Sequence, residues 1–252
     1  NDCINIRSFK VFSIAEIGSN WEGNLSIGKK IIKECKNSDA DAVKFQMWRA
    51  EDLYSSHPLF KKIKKTELSF KNVEKLKNYA DSIGIEFFCS VFYPEAVDFL
   101  QTLGVNFFKI ASRTCTLKDP LSLETLAAVN NTRKPVLVSM GMGGNKKFIQ
   151  TSLSKNKTTF CYCISDYPLK IEKMNWNNAI KYSGLSDHTL GISTPILFSG
   201  LMKMKNHKQI IIEKHVKLPN SKSLDASTSL DINQFKIMNE SFRSIEKIKN
   251  FL

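Results

Sequence analysis

The sequence predicts an α/β protein folded as a single-domain (β/α)8 TIM barrel over residues 1–252, and three observations predict it. Short apolar runs rich in β-branched and aromatic residues alternate with amphipathic stretches from end to end. Eight such units need about 250 residues, close to the 252 present. The turn after the first run, GSNWEG at 18–23, lacks the Gly-rich phosphate fingerprint with which a doubly wound open sheet usually begins.

The first strand is VFSIAEI (11–17), followed by an amphipathic helix over LSIGKKIIKECKN (25–37). DAVKFQ (41–46) and IEFFCS (85–90) form the second and third strands, with a helix over FKNVEKLKNYADS (70–82) between them. A helix over PEAVDFLQTL (94–103) leads to the fourth strand, FFKIA (107–111). PVLVSM (135–140), TTFCYC (158–163), the short GLSD (184–187) and IIIEKH (210–215) complete the set. Most of these runs are near-continuously apolar, as a parallel sheet covered on both faces requires. Residues 231–252 read as the closing helix, capped by Asp231, with Phe235, Met238, Phe242, Ile245 and Ile248 on its buried face. No linker, low-complexity tract or short repeat interrupts the pattern.

Composition narrows the function classes. Hydrophobic residues make up 42% of the chain, enough for a large core, yet no apolar run approaches the roughly 18–20 residues of a membrane helix. The opening NDCINIRSFK has neither the apolar middle nor the cleavage site of a signal peptide, so a soluble, cytoplasmic protein without a membrane partner is expected. Cys3, Cys35, Cys89, Cys115, Cys161 and Cys163 form no CxxC pair and suit a reducing compartment. Cys161 and Cys163 share a strand face and are read as packing residues. The net charge of +13 includes KKIKK (61–65) and KMKNHK (203–208), but aromatic interleaving and nucleic-acid motifs are lacking. A Lys- and Asn-rich composition accounts for most of the excess, and no nucleic-acid partner is expected.

In a barrel, the active site forms at the C-terminal ends of the strands. There the first strand presents Glu16, the second Lys44 and Gln46, the third Ser90, and the fourth Lys109 followed by Ser112. The fifth ends in Ser139, the sixth runs into Ser165 and Tyr167, the seventh gives Ser186, Asp187 and His188, and the eighth gives His215. Period-two alternation turns Glu16, Lys44, Lys109 and His215 inward while Ala15, Val43, Phe45 and Ile110 face the helices. Two inward lysines with several hydroxyls describe a pocket for a small, multiply charged anion.

The seventh and eighth strands are neighbours about 4.8 Å apart, so His188 and His215 can reach one cation. Two protein ligands leave positions for water and substrate oxygens, as catalysis requires. Nitrogen and oxygen ligation without thiolate favours Mn²⁺ or Mg²⁺ over structural zinc. His57 and His207 fall in loop-like contexts and are given no role.

These residues sit in motifs that resemble the N-acetylneuraminate (sialic acid) synthase family. The matching segments are IAEIGSNWEGN (14–24), DAVKFQ (41–46), FKIAS (108–112), VLVSMGM (136–142), CISDYP (163–168), LSDHTLGI (185–192), EKHV (213–216) and LDASTS (224–229). They run in order over almost the whole chain. The resemblance implies a metal-dependent transferase that condenses phosphoenolpyruvate with N-acetylmannosamine or a related N-acylated hexosamine, giving a nonulosonic acid and phosphate. It implies that His188 and His215 hold the metal and that Lys44, Lys109, Ser90, Ser112, Ser139, Ser165 and Ser186 surround phosphoenolpyruvate. Glu16, Gln46, Tyr167 and Asp225 would face the sugar, with Glu16 handling a proton. A homodimer is the assembly it allows.

The chain departs from the family pattern in four places. Arg113 and Thr114 stand where many relatives have Gly-Glu, whose carboxylate contacts the sugar, so both are assigned to the acceptor subsite. Trp21 replaces a usual His, the Gly-Pro before Asp225 is missing, and the expectation is a barrel domain alone, without the C-terminal antifreeze-like domain of full-length relatives. Two other functions fit the residues. One is a class I aldolase with Lys44 or Lys109 as Schiff base; the other is a barrel without catalysis that binds a sugar or a partner.

Overall fold

The structure, a computed structural model, describes residues 9–249. Cys3 and the last three residues of the expected closing helix, Asn250 to Leu252, lie outside them. In chain order the elements are β1 (Lys10–Glu16), α1 (Leu25–Asn37), β2 (Ala42–Met47), α2 (Ala50–Tyr54), α3 (Phe60–Lys65), α4 (Phe70–Ser82) and β3 (Glu86–Val91). There follow α5 (Pro94–Thr102), β4 (Phe108–Ile110), α6 (Ser122–Thr132), β5 (Val136–Ser139), α7 (Lys146–Ser152) and β6 (Thr158–Cys163). The chain continues with α8 (Trp176–Ala179), β7 (Gly184–Asp187), α9 (Ser193–Met204), β8 (Gln209–Lys217), β9 (Leu230–Asp231) and α10 (Ile232–Lys247).

The first eight strands pair in sequence order, all parallel, and β8 returns to β1 from Lys10↔Gln209 to Glu16↔His215. The sheet is therefore closed into a (β/α)8 barrel. Local chemistry marks the helix starts: Asn24 accepts from the amides of Ser26 and Ile27, Ser69 accepts from Asn72, and Asp231 forms a capping box with Gln234. On α10, Phe235, Met238 and Phe242 are buried as expected, but Ile248 is exposed because the helix ends before it. No sequence pattern marked α2 and α3, which are too short to show amphipathic periodicity.

Alternation sorts the core into layers. Val43, Phe45 and Phe87 face the helices, whereas Ile14, Ala42, Phe88 and Leu137 fill the lower barrel interior, with Phe12, Phe107 and Ile211 packed against them. This plug closes one end. Polar residues occupy the inward positions above it, toward the C-terminal strand ends. A third apolar cluster of Trp48, Ala50 and Ile63, joined by Tyr54 and Phe92, seats the long β2–β3 connection beside the open end.

Candidate active site

The open end holds a cavity of about 340 Å³. Its floor carries four buried charges. Lys44 pairs with Glu16, donates to Ser90 Oγ at 2.8 Å and lies 3.8 Å from Glu213. Lys109 donates to Glu213 at 2.9 Å, and Ser186 Oγ donates to the other carboxylate oxygen at 2.9 Å. Burial alone would push Glu213 up, but Lys109 and Lys44 outweigh it and pull its pKa down to about 2. Glu16 goes the other way, pushed up to about 7 by burial and by Glu213, against the pull of Lys44. Lys109 is held firmly as an ammonium: Glu213 overcomes the cost of burial and raises its pKa.

One wall is lined with hydroxyls. Ser139 Oγ and Ser165 Oγ are buried without a hydrogen-bond partner, while Ser112 Oγ accepts from the amide of Gly141 at 2.8 Å. A Cβ on Gly141 would come within 2.7 Å of Ser165 Oγ and 2.8 Å of Cys163 Sγ, so only glycine lets this turn close against β6. Buried unpaired hydroxyls are uncommon, and these two line the cavity beside the lysines.

The two imidazoles adjoin this wall, ring centres 5.5 Å apart, with Tyr167 4.2 Å from His188 at the mouth. His188 Nδ1 lies 2.8 Å from the carbonyl of Ile164; donating there leaves Nε2 as the free ligand nitrogen. His215 is held neutral, its pKa lowered to about 4 chiefly by burial, and its Nδ1 has no partner. Two imidazoles, one with an orphaned nitrogen, fit a divalent cation that takes its other ligands from water or substrate. A closed structural site does not fit, since among the described residues no three His, Cys, Asp or Glu are grouped to hold a metal.

The rim completes the enclosure. Gln46 donates to Glu16 at 2.7 Å and accepts from Trp48. Asp225 accepts from the Ser19 amide and hydroxyl, both at 2.7 Å. Its Oδ2 lies only 2.5 Å from where a Cβ on Gly18 would stand, at a positive φ of 50°, so glycine is required there too. Arg113 lines the cavity but is tied back, with two nitrogens on Asp119 at 2.6 and 2.8 Å, a bond to the Leu53 carbonyl, and its guanidinium over Tyr54.

Fourteen of the fifteen residues expected at the site therefore line one cavity; Thr114 does not. It is buried in a 3-10 turn after β4, whose twist turns Arg113 inward and Thr114 away. Trp21 is also withdrawn, buried and donating to the Thr66 carbonyl at 3.1 Å. Of the other residues that line the cavity, two bear a carboxylate or a thiol that the sequence reading did not assign there. Glu213 lies two positions before His215 and so on the same strand face, a signal present in IIIEKHV. Cys163, read as a packing residue, also lines the cavity, 3.6 Å from Ser112 Oγ and 3.8 Å from His188 Nδ1.

Comparison with known proteins places this cavity in context. Residues 31–251 match the profile of the NeuB family. An uncharacterized protein of Methanocaldococcus jannaschii is 37% identical over 256 residues, covering 94% of this chain and 71% of that protein. The N,N'-diacetyllegionaminic acid synthase of Legionella pneumophila is 30% identical over 274 residues, covering 96% of this chain and 74% of the synthase. Among solved structures, the N-acetylneuraminic acid (sialic acid) synthetase of Leptospira borgpetersenii superposes with a TM-score of 0.82 at 26% identity, covering 94% of this chain and 84% of that one.

Proposed function

The chain belongs to the NeuB family, and from that premise we propose that it condenses phosphoenolpyruvate with N-acetylmannosamine or a related N-acylated amino sugar to form a sialic-type acid and phosphate. It is a transferase of the synthase type, as its relatives' names indicate. One observation carries the substrate assignment: two buried ammoniums and two unpartnered serine hydroxyls line the same cavity as two imidazoles. That set suits a compact anion with both a carboxylate and a phosphate, placed beside a carbonyl acceptor.

In this reaction C3 of the enol ester bonds to the acceptor's aldehyde carbon, water adds at C2, and the C2–O bond to phosphate breaks. Lys44 and Lys109 position and neutralise the anion, and Ser112, Ser139 and Ser165 donate to its oxygens. Glu16, with a pKa near neutrality, is suited to carry a proton to or from the acceptor oxygen, and Gln46 orients it. A divalent cation, Mn²⁺ or Mg²⁺, held by His188 and His215 would act as a Lewis acid on the acceptor carbonyl. Tyr167, Asp225 and Arg113 bound the acceptor side.

A Schiff-base aldolase acting through Lys109 is disfavoured, because an imine-forming lysine must become neutral and Lys109 is held charged by Glu213. The test is phosphate release from phosphoenolpyruvate across a panel of acylated hexosamines, with Mn²⁺, with Mg²⁺ and with chelator. Release should need both a sugar and a divalent ion. Borohydride trapping of pyruvate on a lysine, or no release with any sugar, would overturn the assignment.

A further inference from the structure

Glu213 stands in a place where a bound anion would be expected to go. The ammoniums of Lys44 and Lys109 are the natural partners of a phosphate or carboxylate, yet Glu213 lies 3.8 Å from the first and 2.9 Å from the second. Ser186 holds its carboxylate from a third side. With Glu16 against Lys44, the floor contains two negative and two positive side chains, all buried. Below it lies the apolar plug that includes Ile14, Phe88 and Leu137. A charged layer cut off from water on that side must keep its ammoniums beside carboxyl groups, as Lys44 with Glu16 and Lys109 with Glu213 do.

We infer that Glu213 is a resident counter-anion: it positions the two lysines and, by competing with the substrate anion for their ammoniums, sets how loosely that anion and the phosphate product are held. This rests on the anion-site reading above. Without Glu213, the floor would hold two ammoniums against the single carboxylate of Glu16, and an entering anion would bind more tightly. Tight binding of phosphate slows its departure in each cycle. Glu213 is thus a positioning residue whose removal should strengthen anion binding, whereas losing a merely structural residue would weaken it.

The experiment is calorimetric titration of the full chain and of Glu213→Gln with inorganic phosphate and with phosphoenolpyruvate, alongside steady-state kinetics. Gln keeps the shape of the side chain and can still accept from Ser186 or Lys109, but removes one negative charge. The dissociation constant for phosphate should fall by on the order of tenfold. KM for phosphoenolpyruvate should fall, and kcat should fall with it. Glu213→Asp draws the carboxylate back from the ammoniums and should give a smaller change of the same sign; it also serves if the Gln variant does not fold. Phosphate binding that is unchanged or weaker in either folded variant overturns the inference. Wild-type protein that binds neither anion overturns the anion-site reading along with it.

Discussion

Glu213 and Lys214 are adjacent on β8 and point to opposite faces, and each belongs to a buried lysine–carboxylate pair. On the outer face, Lys214 donates to Asp187 at 2.6 Å and to the Thr189 carbonyl, and both side chains of the pair are fully buried. Asp187 in turn accepts from the Thr189 amide and hydroxyl, each at 3.0 Å. That pair is not among the residues lining the barrel cavity, and it fixes the turn that carries His188. On the inner face, Glu213 and Lys109 border the cavity. A buried ion pair alone says nothing about function; the space next to it does.

The sharpest way to test the contrast is to remove one lysine from each pair. Lys214→Met leaves Asp187 buried and unpaired, which should cost about 3–5 kcal/mol of stability, measured by urea unfolding. Lys109→Met should cost less, because Glu213 keeps Ser186 and the nearby Lys44. Its main effect should be on the anion: phosphoenolpyruvate affinity should drop about tenfold or more, read by titration. If the stability losses come out in the reverse order, the outer pair is not the structural one.

The same contrast explains what the sequence could reveal. Inward and outward faces follow from period two, so the inward, cavity-lining positions of Glu16, Lys44, Lys109 and His215 were legible from strand position alone. Both faces of β8 carry charge in IIIEKHV, and a charge beside a histidine is easily read as solvent-exposed; only closure of the sheet shows that Glu213 meets Lys109, 104 residues earlier. Thr114 and Arg113 lie beyond β4, where a 3-10 turn replaces the strand period and no alternation predicts direction. The pairing of Asp187 with Lys214 likewise depends on register between β7 and β8, which pairs these two positions directly.

The inner charges also predict opposite responses to pH. Glu213 has a depressed pKa, so its contribution to stability is present above the ordinary carboxylate pKa near 4.5 and is lost as pH falls toward about 2. Glu16 has a raised pKa, so the folded state binds more protons than the unfolded one between about 4.5 and about 7, and stability declines as pH rises through that window. Urea unfolding from pH 3 to pH 8 should therefore show a maximum in between, and Glu16→Gln should flatten the decline on its alkaline side. An unchanged alkaline slope in that variant would remove Glu16 as its source.

The smallest effect is expected at Arg113, whose charge is already matched. Its side chain is 32% exposed, its fork is taken up by Asp119 and the Leu53 carbonyl, and its guanidinium stacks on Tyr54 at the cavity wall. Arg113→Met keeps much of the aliphatic stem and drops those bonds. Partly exposed pairs of this kind contribute little, so stability should change by less than about 1 kcal/mol. The acceptor's KM should rise a few-fold, roughly 1 kcal/mol or less, as the wall loosens, with KM for phosphoenolpyruvate unaltered because Lys44 and Lys109 lie deeper. A matching rise in both KM values would mean that Arg113 supports the floor as well as the wall, and the separation of anion and acceptor sides would fail at this residue.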